Sequence, residues 1–217
     1  MGNIQSGNSA PPVTRLFYIH DPMCSWCWGY RPTWLALQQQ LTAQLPELTI
    51  EYRLGGLAPD SDVPMPKDMQ QFLSQTWHKI ASQLGTEFNY DFWQNCRPRR
   101  STYSACRACL IAREHGLEQA MILAIQQAYY LQAKNPSDSD TLINAAVSIG
   151  IDQAVFTERL LSEEVNQGLM SELEAVHQLP IRGFPSLVLE VNGEALGIPL
   201  DYVNPQTSFD AVVSALG

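Results

Sequence analysis

Strand-like patterns occur only near the two ends of this chain, and a long stretch of helical period separates them. A single sheet must therefore join early strands to late ones across everything between, which leaves few topologies. Residues 15–20 (Arg-Leu-Phe-Tyr-Ile-His) are short, apolar and rich in β-formers, and predict a buried strand that Asp21-Pro22 stops. Trp34, Leu37, Leu41 and Leu45 then recur at spacings of three, four and four, one face of a helix that Pro46 ends. Residues 48–54 alternate as a second strand before Gly55-Gly56. Strand, helix and strand in this order predict a parallel βαβ unit.

From residue 58 to residue 177 the period is helical. Met69, Phe72, Leu73, Ile80 and Leu84 mark one helix with Pro66 near its first turn, and another runs from about Ser101 to Gly116. Met121, Ile122, Ile125 and Tyr129 mark a third, and Leu142, Ala145, Ala146 and Ile149 a fourth that ends at Gly150. Asp152 caps a short helix, and Val165, Leu169, Leu173 and Val176 line the last. Residues 185–191 and 194–198 then read as a hairpin about Asn192-Gly193. Phe209, Val212, Val213 and Leu216 form a terminal helix, with Thr207 or Ser208 as its cap. The expected fold class is α/β, a thioredoxin-like βαβ…ββα sheet. Residues 14–57 and 178–217 form that domain, and residues 58–177 an all-helical insertion.

The chain has 217 residues, with 22 acidic side chains against 13 basic ones. The net charge of −9 shows no basic footprint for a nucleic-acid backbone. Five cysteines are too few for a disulfide-built scaffold, and an odd number cannot pair completely within one chain. No apolar run approaches the roughly 20 residues that span a bilayer. Residues 1–13 read as a disordered polar leader without a translocation signal, although Gly2 and Ser6 fit a loose myristoylation pattern. The expected setting is cytoplasmic, with no membrane partner.

The chemistry concentrates at Asp21-Pro-Met-Cys24-Ser-Trp-Cys27-Trp-Gly-Tyr30, the junction from first strand to first helix. A cysteine at a helix N-terminus meets orphan amides and the positive end of the helix dipole, so its thiolate is stabilised. Cys24 is the expected attacking thiolate and Cys27, one turn deeper, the resolving thiol. Ser25 and Trp26 would tune the potential and contact substrate. Half of a zinc site is the competing reading, with Cys106 and Cys109 as a second half, but the two pairs lie far apart in sequence. No metal is expected. Pro32 should kink the first helix, and an X-Pro bond at a strand start, Phe184–Pro185, is a natural place for a cis peptide.

Residues 21–30, Pro32 and Gly183-Phe184-Pro185 before the hairpin resemble the DsbA-like branch of the thioredoxin superfamily. Residues 97–107 (Arg-Pro-Arg-Arg-Ser-Thr-Tyr-Ser-Ala-Cys-Arg) resemble the corresponding helix start of its FrnE-like members. Related branches are 2-hydroxychromene-2-carboxylate isomerase and kappa-class glutathione transferase, where serine usually stands at the position of Cys24 and activates glutathione. This chain keeps both cysteines and so is similar to the dithiol oxidoreductases. Its Ser25-Trp26 pair differs from the Pro-His of the strong oxidant. The resemblance implies a cis bond before Pro185 and a peptide- or glutathione-binding groove between Pro185 and Cys24.

The expected activity is that of a disulfide reductase or isomerase with no bound cofactor, acting on protein or peptide disulfides or using glutathione as co-substrate. The alternative is a glutathione-dependent isomerase or transferase for a small organic molecule, its pocket lined by Trp77, Phe88, Tyr90 and Trp93. A third reading is a non-catalytic binding module. His20 could stabilise the Cys24 thiolate or simply pack. Arg97, Arg99 and Arg100 could receive a carboxylate, for instance that of glutathione, or pair within the helices, and Arg100 is with His20 a candidate modulator of the site. Cys96, Cys106 and Cys109 could form a second thiol set, or fill the core as free cysteines commonly do.

Overall fold

The computed structural model describes residues 14–217, so the expected leader and the pattern at Gly2 and Ser6 lie outside the described residues. In chain order the elements are β1 (Thr14–His20), α1 (Ser25–Gln44), β2 (Thr49–Leu54), α2 (Lys67–Leu84), α3 (Phe92–Asn95), α4 (Tyr103–Glu114) and α5 (Glu118–Tyr130). They continue with α6 (Ser139–Ser148), α7 (Gln153–Leu160), α8 (Glu163–His177), β3 (Ser186–Val191), β4 (Glu194–Ile198) and α9 (Pro205–Leu216).

The sheet order is β2-β1-β3-β4. β1 runs parallel to β2, with His20 opposite Leu54, and antiparallel to β3, with Phe17 opposite Val188. β3 and β4 close the hairpin. The early βαβ unit and the late hairpin thus meet along β1 and β3, whose side chains point alternately to two covered faces. Leu16, Tyr18, Leu187 and Leu189 face α1 and α9, packing on Tyr30, Trp34, Leu37, Leu41, Phe209 and Val212. Phe17, Ile19 and Val188 face Val176 of α8, together with Leu179, Ile181 and Phe184.

Helices α4 to α8 share a separate core that includes Ile111, Ile125, Leu142, Phe156 and Leu169, and that reaches Met23 and Leu54 beside the sheet. Polar contacts fasten it to the edge strand. The Leu54 amide donates to Glu172 of α8 at 2.7 Å, and Arg113 of α4 pairs with Glu172 and Glu118 at 2.5 and 2.6 Å. No helix of the described residues is long and apolar enough to cross a membrane.

The expected boundaries shift by a residue or two. The terminal helix starts earlier than its apolar spacing suggested: Pro205 opens it, and Asn204, rather than Thr207 or Ser208, is the cap, accepting from the Gln206 amide at 3.1 Å. Asp152 caps α7 as expected, accepting from the amides of Ala154 and Val155. α3, at four residues, is too short to leave a period and went unseen. Pro32 lies inside α1, which continues unbroken to Gln44.

Gly55 couples this architecture to the sulfur chemistry below. A Cβ at that position would lie 2.0 Å from the Phe184 ring, so the turn after β2 and the loop before β3 touch only because no side chain intervenes. Gly55→Ala should therefore destabilise the fold by about 1–3 kcal/mol through overpacking. Gly168→Ala, in α8 with nothing within 4 Å of its added carbon, should instead be stabilising by about 0.5–1 kcal/mol. Urea unfolding of the two variants checks both signs, and equal effects would contradict the packing described.

Candidate active site

β1 stops where proline removes an amide from the ladder, and Asp21 then builds the turn. Its carboxylate accepts from the Met23 amide at 2.7 Å and its carbonyl from the Cys24 amide at 3.0 Å. α1 begins at the next residue, which makes Cys24 the N-cap, and the first turn carries no acidic side chain to compete with a thiolate. Cys24 is 7% exposed and Cys27 1%, and both thiols are free. The Cys24 pKa is lowered, chiefly by a hydrogen bond from the Cys27 thiol, with burial opposing and the amides of Cys27 and Trp26 assisting. Burial drives Cys27 well upward, and the neighbouring Cys24 sulfur pushes the same way. Of the two thiols, Cys24 is therefore the one that ionises first.

Asp21 was read from sequence only as a strand stop, yet it is fully buried under this turn. Its carboxylate also accepts from the Leu57 amide and the Thr102 hydroxyl, each at 2.7 Å, and the Cys106 thiol approaches it at 3.7 Å. Burial raises its pKa, while the Leu57 amide, the Thr102 hydroxyl, the Met23 amide and the Cys106 thiol pull it down. Tyr130 adds a second tie from the helices, donating to the Met23 carbonyl at 2.8 Å. No sequence pattern marks either contact, because both depend on which helix the fold brings over the turn.

Cys24 opens onto a groove of about 360 Å³. Ser25, Trp26, Gly183 and Phe184 all line it, as do Phe72, Leu73 and Trp77 of α2. The Cys24 thiol lies 3.5 Å from the Phe184 carbonyl, and the Phe184–Pro185 bond is cis. Trp26 packs edge-on to Tyr202 at 5.1 Å, and Trp28 stacks on Tyr130 at 5.7 Å. Of the aromatic set expected to wall a pocket, Trp77 lines the groove, whereas Phe88, Tyr90 and Trp93 pack about Trp77 within the helices.

The remaining candidates separate by environment. His20 is 1% exposed and stacked on Tyr18, and neither ring nitrogen has a hydrogen-bond partner, so it offers no donor to Cys24. Burial, with Arg113 and Arg31 adding to it, lowers its pKa to about 3, leaving a neutral ring at ordinary pH. Arg99 pairs with Asp138 at 2.6 Å, Arg97 is exposed, and Arg99 and Arg100 line the groove. Cys106 and Cys109 are fully buried within α4, and burial raises both thiols well above their usual range. Cys96 is half-buried and donates to the Ala133 carbonyl at 3.1 Å. Among the described residues no three His, Cys, Asp or Glu side chains are grouped to hold a metal ion.

The family model for the DSBA-like thioredoxin domain matches residues 17–217. The ClpXP adapter protein SpxH of Bacillus subtilis is 23% identical over 207 residues, which take in 90% of this chain and 65% of that protein. The chain thus spans less than two thirds of the length of this curated relative. A candidate protein disulfide isomerase from Nitrosomonas europaea superimposes with a TM-score of 0.80 at 28% identity, over 94% of this chain and 97% of its own. The cytosolic disulfide reductase DsbM of Pseudomonas aeruginosa superimposes at 0.70 with 23% identity, over 94% of this chain and all of its own. Another structure of that reductase contains glutathione.

Alkylation tests the thiol asymmetry. The thiolate is the reactive form, so the iodoacetamide rate falls as pH drops through the Cys24 pKa, and that midpoint should lie below the ordinary thiol value of about 8.5. Cys27→Ala removes the leading stabiliser and should move the midpoint upward. A midpoint at or above the ordinary value, read by mass spectrometry on the Cys24 peptide, would contradict the assignment.

Proposed function

The chain belongs to the DSBA-like thioredoxin domain family, and from that premise we propose that it is a thiol–disulfide oxidoreductase working in the reductase or isomerase direction. The observation that carries this reading is the asymmetry of one pair: Cys24 at the helix start beside a groove, Cys27 sealed beneath it. The Cys24 thiolate attacks one sulfur of a substrate disulfide, forms a mixed disulfide, and expels the other sulfur as a thiolate that takes a proton from water. Cys27 then loses its proton and attacks the Cys24 sulfur, releasing the second substrate thiol. The substrate gains two electrons and two protons, the Cys24–Cys27 pair is left oxidised, and an external dithiol restores it. Isomerisation needs only the first attack and release.

In this reading Ser25, Trp26, Gly183, Phe184 and Pro185 form the substrate-binding surface, and residues 58–177 are an insertion that walls it. A cytoplasmic setting belongs to the same reading and is supported by the likeness to a reductase described as cytosolic. The alternative, glutathione-dependent chemistry on a small organic molecule, draws on the apolar groove and its arginines. The two readings part at Cys27, which only dithiol chemistry requires.

Insulin reduction with dithiothreitol as electron donor tests the proposal. Cys24→Ser should fall to the uncatalysed rate, and Cys27→Ser should lose turnover while accumulating a covalent adduct at Cys24. Full activity in Cys24→Ser would remove the assignment, and undiminished turnover of a small substrate with glutathione in Cys27→Ser would favour the alternative.

A further inference from the structure

The charge of the groove is opposite to that of the chain. Acidic side chains outnumber basic ones by 22 to 13, yet the groove is lined by two arginines and by no aspartate or glutamate. Arg99 is occupied, donating to Asp138 at 2.6 Å and to the Ser137 carbonyl at 2.5 Å. Arg100 is exposed, and among the described residues it makes no ion pair and no side-chain hydrogen bond. Two further cations stand near the same mouth. Lys79 lies over the Trp26 ring, 5.7 Å from its centroid, and exposed Arg182 directly precedes Gly183.

Most of the rest of the lining is apolar, with Ser25, Thr76 and Thr102 among it, and it is not all covered by protein. Phe72 of α2 leaves 61% of its surface in water, and Leu57, at 36%, and Met65 complete the same wall. A guanidinium without a partner and exposed aromatic surface lining one groove fit a carboxylate attached to an apolar segment.

We propose that the groove selects acidic peptide disulfides, with a carboxylate side chain meeting Arg100 while an apolar neighbour of the substrate cysteine lies against Phe72 and Met65. The assignment rests on the oxidoreductase reading above and adds its substrate class. Arg100 is then a specificity-determining residue. The like-charged surface elsewhere repels the same substrate, so productive approach is confined to the mouth.

Three synthetic peptide disulfides of one length test this, each with leucine beside the cysteine and with glutamate, glutamine or lysine two residues further on. Each enzymatic kcat/KM is divided by the rate at which dithiothreitol alone reduces the same peptide, which removes intrinsic differences in reactivity. The expected order is glutamate, glutamine, lysine, with a spread of about tenfold between the extremes that narrows in high salt. Arg100→Glu should reverse the order, a change that loss of packing alone does not produce. Should that variant fail to fold, Arg100→Gln and the salt series on the parent protein carry the test. Equal normalised rates, or an order unchanged in the folded variant, would overturn the proposal. So would faster normalised reduction of glutathione disulfide than of the acidic peptide, which would assign the groove to a small anionic thiol. Failure to reduce any of these disulfides would instead remove the oxidoreductase reading itself.

Discussion

One carboxylate sealed from water, that of Asp21, holds together the turn before Cys24, the loop after β2 and the start of α4. An ionised group buried without partners costs several kcal/mol, so each donor that reaches it is required by the others. The consequence is geometric. Meeting these donors fixes where β1 ends and where α1 begins, and so fixes a cysteine at the cap position with the helix amides behind it. The helices between β2 and β3 contribute the Thr102 hydroxyl and the Cys106 thiol, so the pocket around the carboxylate is complete only once they have packed.

The sulfur pair inherits its asymmetry from that arrangement. Cys24 receives a hydrogen bond from Cys27 and lies near the backbone amides of the first turn. Cys27, one turn on and nearly sealed, is pushed upward by burial and by the Cys24 sulfur, which outweigh a backbone hydrogen bond at Asp21. The other buried thiols, Cys106 and Cys109, are raised well above their usual range by burial and by nearby carboxylates, Asp21 for Cys106 and Glu118 for Cys109. Cysteine count alone therefore says little about reactivity, which follows from burial, from neighbouring charge and from the donors that reach each sulfur.

Much of the fold was legible in the sequence, for physical reasons that differ by element. β3 and β4 could be read because Asn192-Gly193 imposes a two-residue turn, α5, α6 and α8 because their buried faces repeat every three or four residues, and α7 from its Asp152 cap. The pairing of β1 with β3 followed from the order of elements rather than from either strand. The cap of α9 was missed because apolar spacing marks the buried face and says nothing of the preceding Asn204-Pro205. At the site, the cysteines and the Gly183-Phe184-Pro185 loop were visible as motifs. The buried carboxylate contacts and the pairing of Arg99 with Asp138 were not, since each joins residues distant in sequence through a tertiary approach that no local pattern records.

The central claim is that Cys24 and Cys27 act as one dithiol while the remaining sulfurs stand apart. Peptide mapping of the protein after oxidation by one equivalent of diamide measures this directly. The account predicts a single link between Cys24 and Cys27, with Cys96, Cys106 and Cys109 recovered as thiols. A link from Cys24 or Cys27 to Cys106 or Cys109, or oxidation confined to those helical cysteines, would contradict it.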